Sequence, residues 1–265
     1  MKVRNKIVDS INSRIIRPYI EKYFKYTPYG RSIAKLKDVY KGKRCFLIGN
    51  GPSLKSEDLT RLYENNEITF AFNRIYNIFD DTKWRPTFYI SQDEKMLGGC
   101  VEIVDKLNLP VKFIPIQLHW YHGIDIHDAV YFNMNWQKLE QPKDYLFSNN
   151  VAHEVACAST GMYTAVQFAA YMGFSEIYLI GVDHHFQISQ NNQGEIIIDN
   201  SVKDYFSEKY NEDKAQLYIP NTEKSTETYV AMKIRCEEQG IKVYNATRGG
   251  KLEVFPRKEF DELFS

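Results

Sequence analysis

The chain has 265 residues, 43% apolar and 26% charged, which suits a soluble globular protein with room for one α/β domain and an appendage. Its 34 basic and 34 acidic residues cancel, so no global field favours nucleic acid or an acidic partner. Cys45, Cys100, Cys157 and Cys236 lack CxxC spacing, no apolar run reaches the ~18–20 residues that span a bilayer, and no signal-peptide stretch opens the chain, which together predict a reduced cytoplasmic protein without zinc or disulfides.

Charge is nonetheless uneven along the chain. Residues 1–37 carry ten lysines and arginines against Asp9 and Glu21. Ile7, Ile11, Ile15 and Ile16 recur there at helical spacing, and Tyr19, Tyr23, Phe24 and Tyr26 follow. Residues 1–38 therefore read as a basic amphipathic helical extension. Such a helix lies on anionic lipid, here the inner membrane surface, or packs on the body or on a second copy in a homo-oligomer.

From residue 39 to 265 the pattern turns to α/β. Short apolar runs without alternation predict strands at 44–48, 68–72, 87–91, 111–114, 129–132, 176–180 and 242–244. Helices are predicted at 56–64, 99–107, 160–172 and 224–239. Each helix leads towards a strand, the rhythm of a Rossmann-like, doubly wound and mostly parallel sheet in one domain. Residues 187–220 are polar and poorly periodic, and read as a lid inserted into that domain.

Ligands of open parallel sheets sit beyond the carboxyl ends of the strands, and four of these ends are chemically unusual. The first is Gly49-Asn50-Gly51-Pro52-Ser53, where glycines permit close backbone approach and Ser53 or Ser56 is placed to cap a helix that can receive an anion. It lacks the lysine of a P-loop and the third glycine of a dinucleotide fingerprint. A tight structural turn is the competing explanation. The second is Asn73, able to read a ribose or a base edge, or simply to make a turn. The third is Ser91-Gln92-Asp93, in which Asp93 is a candidate base or a helix cap. The fourth pairs a helix start, Ser159-Thr160-Gly161, with the strand end Asp183-His184-His185. Hydroxyls and free amides at a helix N-terminus attract anions. An acid with two histidines can read a ribose, move protons or bind metal, metal being the weaker option because adjacent histidines diverge. His119, His122 and His127 fall in an aromatic stretch that reads as irregular surface or as an acceptor platform.

The motifs "GNGPSL", "FNRIY" and "STGMYTAVQFAAYMGFSEIYLIGVDHHF", with the later "KSTETYVAMKIRCEEQGIKVYNAT", resemble two related groups. These are the bacterial sialyltransferases of glycosyltransferase family 42 and the MptE-like domain family. The latter is named for an archaeal 6-hydroxymethylpterin diphosphokinase and includes the Maf flagellin-glycosylation proteins. The resemblance implies a single Rossmann-type domain with a lid, a CMP-activated nonulosonic acid as donor substrate, a glycan acceptor, and no metal or other cofactor. It implies that Asn50 and Gly51 lie at the donor phosphate and ribose, and that Asn73 meets the cytidine or the donor. Ser159, Thr160 and Gly161 would hold phosphate or carboxylate, and Asp183 the nucleotide. Lid tyrosines would be drawn from Tyr205, Tyr210 and Tyr218. The lid histidine that serves the sialyltransferases as base has no counterpart in "IPNTEKSTET", which leaves His185, His184 or Asp93 for that role. Lys224 or Arg248 is then expected to neutralise phosphate charge. Two other readings remain: a diphosphokinase using ATP and magnesium on Asp93, Glu94 and Asp183, and a nucleotide-binding module without catalysis.

Overall fold

The computed structural model describes residues 10–136, 141–211 and 217–264. The central sheet has seven parallel strands in the order β11-β8-β1-β2-β3-β4-β5. In chain order these are β1 (Arg44–Ile48), β2 (Thr69–Phe72), β3 (Phe88–Ile90), β4 (Val111–Pro115), β5 (Ala129–Phe132), β8 (Glu176–Ile180) and β11 (Lys242–Asn245). Every residue of β2 and β3 is buried, as expected of strands covered on both faces. The register aligns Leu47 with Phe70 on one side and with Leu179 on the other. Aromatic rings knit the layers, with Phe113 stacked on Phe168 at 4.2 Å and Phe70 on Phe88 at 4.6 Å.

The chain steps outward from β1 to β5, then returns to lay β8 on the other side of β1. The boundary between β1 and β8 is therefore the topological switch point, where loops leave in opposite directions and open a crevice. Eight helices accompany the described strands: α1 (Arg17–Lys22), α2 (Pro28–Ala34), α3 (Ser56–Glu64), α4 (Glu94–Gly98), α5 (Val101–Lys106), α6 (Ile116–His122), α7 (Gly161–Tyr171) and α8 (Thr222–Glu238). Shorter strands were not visible as periodicity. Among them β6 (Met134–Trp136) pairs with β7 (Val155–Cys157), and β9 (Ile188–Gln190) with β10 (Ile196–Ile198) inside the lid.

The N-terminal extension divides in two. Residues 10–22 form one helical rod with a wider π turn at Asn12–Ile16, and Ile7 lies outside the described residues. Beyond it, Phe24 and Ile33 are fully buried in the main core. There α2 starts with proline at its first turn, and Thr27 caps it by accepting the Gly30 N–H. A buried lysine closes another helix: Lys112 Nζ donates to the carbonyls of Val104, Asp105 and Leu107 at 2.9–3.2 Å and pairs with Asp128. The four cysteines are buried free thiols. Among the described residues no helix is long and apolar enough to cross a membrane.

Candidate functional site

The loops after β1 and β8 remain bonded to each other beyond the sheet. The Gly49 N–H donates to Ile180 O and the Gly51 N–H to Gly181 O, both at 2.8 Å. Ser53 follows, its N–H and Oγ both donating to Asp183 Oδ2, at 3.3 and 2.7 Å. A Cβ on Gly51 would collide with the Asp183 carboxylate, and one on Gly49 with the Gly181 carbonyl. The two glycines thus let two loops touch, which is the turn explanation for their presence. Their amides are spent on β8, and Ser53 faces Asp183. The following helix α3 has Lys55 at its cap, without a side-chain cap from Ser53 or Ser56. Asn50 differs: its Nδ2 donates to Phe72 O at 3.1 Å, and its buried Oδ1 has no protein partner.

Across the crevice α7 begins at Gly161. Its N-cap Thr160 accepts the Met162 N–H on its hydroxyl at 3.3 Å and the Tyr163 N–H on its carbonyl at 3.1 Å, and the Gly161 N–H opens the helix ahead of them. Gly161 sits close to Phe72 at the end of β2, where a Cβ would stand 3.2 Å from the ring. Asn73, next along, adopts a left-handed conformation at φ 51°. Its N–H donates to Ile90 O, its carbonyl accepts from the Tyr89 hydroxyl, and its Oδ1 accepts from Ser91 Oγ. Ser91 is buried and reaches the site only by holding Asn73. Asp93 caps α4, its Oδ1 accepting the amides of Lys95 and Met96 at 2.9 Å. Burial pushes the Asp93 and Asp183 carboxyls above the usual carboxylate range.

Beyond Asp183 the two histidines diverge. His184 is left-handed at φ 53°; its Nε2 lies 2.7 Å from Thr226 Oγ1 and its ring meets Tyr229 edge-on. Burial lowers its pKa, disfavouring the charged form of the imidazole. His185 Nε2 lies 3.0 Å from Asp199 Oδ2, just past β10 of the lid.

The lid lies over the crevice. The Phe206 N–H donates to Asn50 O at 3.1 Å, and Arg74 holds the Tyr210 carbonyl at 2.8 Å. Tyr205 and Tyr210 stack with centroids 3.9 Å apart, the Tyr210 hydroxyl meeting the Asn73 carboxamide. Tyr218 hydrogen-bonds Glu94.

Together these segments enclose a cleft of about 430 Å³. It is lined by Gly49, Asn50, Gly51, Asn73, Asp93, Ser159, Thr160, Gly161, Asp183, His184 and His185, and by Tyr205, Tyr210 and Tyr218 of the lid. Pro52, Ser53 and Ser91 stand behind this wall rather than in it. Sequence reasoning missed Trp136, Thr226 and Asp199: a short strand and a polar lid give no periodic signal for Trp136 and Asp199, and Thr226, on the expected helix 224–239, meets His184 only through tertiary packing. Neither expected cation reaches the cleft: Lys224 pairs with Glu227 at 2.9 Å, and Arg248 with Asp58 at 2.9 Å. Among the described residues the lining holds four carboxylates (Asp93, Glu94, Asp183, Asp204) and no lysine or arginine. Among them, too, no three His, Cys, Asp or Glu side chains cluster closely enough to hold a metal ion.

A cleft at the switch point of a doubly wound parallel sheet defines a Rossmann-like α/β protein. The profile of the family described as 6-hydroxymethylpterin diphosphokinase MptE-like matches residues 19–189, and the chain belongs to that MptE-like family. No curated protein matches it. Among solved structures it is similar to the Maf glycosyltransferase from Magnetospirillum magneticum AMB-1, at 14% identity and a TM-score of 0.48. That likeness covers 88% of this chain and 38% of the Maf chain, so the chain spans well under half of that protein.

Proposed function

We propose that the chain is a glycosyltransferase that takes a CMP-activated acidic sugar as donor and modifies a glycan acceptor without a metal. The observation that carries this reading is the shared cleft: the Asn50 loop and the Ser159–Gly161 helix start line one crevice at the switch point, under a lid of tyrosines. Among the described residues its polar donors are the amide that opens α7, hydroxyls, carboxamides and two imidazoles. Neutral donors of this kind suit a single phosphate diester, whereas a diphosphate or triphosphate needs cations beside it. The departing CMP phosphate then sits at the α7 N-terminus, with the tyrosine hydroxyls within the same cleft. The unpartnered Asn50 Oδ1 accepts from a ribose hydroxyl or a base amino group.

His185 serves as the base in this scheme. The acceptor oxygen attacks the anomeric carbon, the glycosyl–phosphate bond breaks with its electron pair going to CMP, and the acceptor proton passes to the imidazole. With Nε2 on Asp199, Nδ1 is the nitrogen that receives it, and the carboxylate stabilises the imidazolium. His184 is the poorer base because burial disfavours its charged form. Asp93 is engaged as a helix cap.

The four lining carboxylates favour a second reading, diphosphoryl transfer from magnesium-bound ATP to a pterin alcohol. One assay separates the two. CMP release from CMP-sialic acid and CMP-Kdo is followed in EDTA, beside AMP formation from ATP, magnesium and 6-hydroxymethylpterin. Metal-independent CMP release that His185→Ala abolishes supports the first reading. AMP formation without CMP release overturns it.

A further inference from the structure

The helical rod at residues 10–22 exposes the face a soluble protein would cover. Ile15 and Tyr19 are each 64% exposed, and Ile11, Ile16 and Tyr23 lie open beside them. An amphipathic helix normally turns such side chains onto its own core. Here only Ile20 packs against the core. Charge marks what covers the rest. Residues 10–37 carry seven basic side chains against Glu21 alone, in a chain of zero net charge. Glu21 itself is turned inward, its carboxylate accepting from Gln117 Nε2 and its carbonyl from Asn133 Nδ2. The solvent side of the rod is left basic and apolar together, a pairing that matches lipid headgroups above acyl chains.

The rod also has a defined place on the sheet. Gln117 opens α6 directly after β4, and Asn133 directly follows β5, so both lie at the carboxyl ends of their strands, where the cleft opens. Arg17 stacks over Tyr121 of α6 at 4.7 Å, and Trp136, which lines the cleft, is itself 61% exposed. We propose that the rod docks on an anionic membrane surface and holds the cleft mouth towards it, so that the acceptor is met at the bilayer. The docking step is independent of which group the cleft transfers.

Vesicle sedimentation of the full chain tests this, with phosphatidylcholine alone and with about one quarter phosphatidylglycerol. The protein is expected to pellet with the anionic vesicles, to stay in solution with the neutral ones, and to release as salt rises. Ile15→Asp with Tyr19→Asp, and separately Arg14→Glu with Arg17→Glu, are expected to weaken binding by on the order of tenfold or more. Arg14, Ile15 and Tyr19 face solvent and Arg17 is half-buried against Tyr121, and unchanged circular-dichroism melts exclude misfolding. Absence of pelleting, or pelleting indifferent to both pairs, overturns the proposal. So does a stable dimer, seen by analytical ultracentrifugation, that Tyr19→Asp dissociates, since the face would then bind a second copy.

Discussion

Replacing Gly51 with alanine tests how the two site loops depend on each other. The new methyl would fall on the Asp183 carboxylate and stand 2.8 Å from the Gly181 carbonyl. Asp183 must then swing away from Ser53, breaking hydrogen bonds of 2.7 and 3.3 Å. A lost hydrogen bond to a charged group costs about 1.5–3 kcal/mol, and overpacking adds ~1–3 kcal/mol. The sum is roughly 2.5–6 kcal/mol, which at about 2–4 °C per kcal/mol in a chain of this size lowers Tm by about 5–24 °C. Gly98→Ala is the control, since a Cβ there meets nothing within 4 Å. Thermal melts followed by circular dichroism should separate the variants widely. Adding Asp183→Ala to Gly51→Ala should recover part of the loss, leaving the clash with Gly181. A Gly51→Ala protein that melts with wild type refutes the contact between the loops. Equal melts of the single and double variants refute the carboxylate as the cause.

Four further outcomes follow from the same geometry. Lys112→Met takes the lysine donor from three carbonyls at the end of α5 and strands Asp128 without its partner, and should cost ~3–5 kcal/mol by urea denaturation. Thr160→Ala removes the α7 cap, costing about 1 kcal/mol, and should weaken CMP binding measurably by calorimetry. The Asp183 carboxyl has a folded pKa raised by burial, so its contribution to stability is full below the unfolded value near ~4 and is lost as pH rises through the folded value. Asp183→Asn keeps an acceptor for Ser53 and should flatten the stability profile measured by urea melts from pH 4 to 7; an unchanged slope contradicts this. Asp199→Asn should reduce turnover and shift its pH profile while leaving CMP affinity within about twofold, because Asp199 acts through His185.

Parallel strands buried on both faces leave uninterrupted apolar runs, and for that reason all seven strands of the central sheet could be placed from sequence. Strands 44–48, 129–132 and 176–180 and helix 56–64 match residue for residue. The strand ends carrying Asn50, Asn73, Asp93 and Asp183 were legible for the same reason: polar residues stop apolar runs where the sheet ends. What the glycines of 49–51 do was not legible. Their purpose is contact with a segment 130 residues away, as the Ser53–Asp183 bond records, and no local pattern announces such a partner. Arg248 misled because tertiary packing sets its partner, Asp58, which sequence alone does not bring near, whereas Lys224 pairs with Glu227 one helical turn on, a neighbour that the expected helix 224–239 already supplies. The short lid strands gave no signal because all three residues of Ile196–Ile198 are exposed, without a buried face to impose alternation.

Isothermal calorimetry of CMP with the full chain in EDTA, beside ATP with and without magnesium, bears most directly on what the cleft is built to hold. Saturable, metal-independent CMP binding that Thr160→Ala and Gly51→Ala each weaken is the expected result. Silence towards CMP, with ATP binding only when magnesium is present, would contradict it.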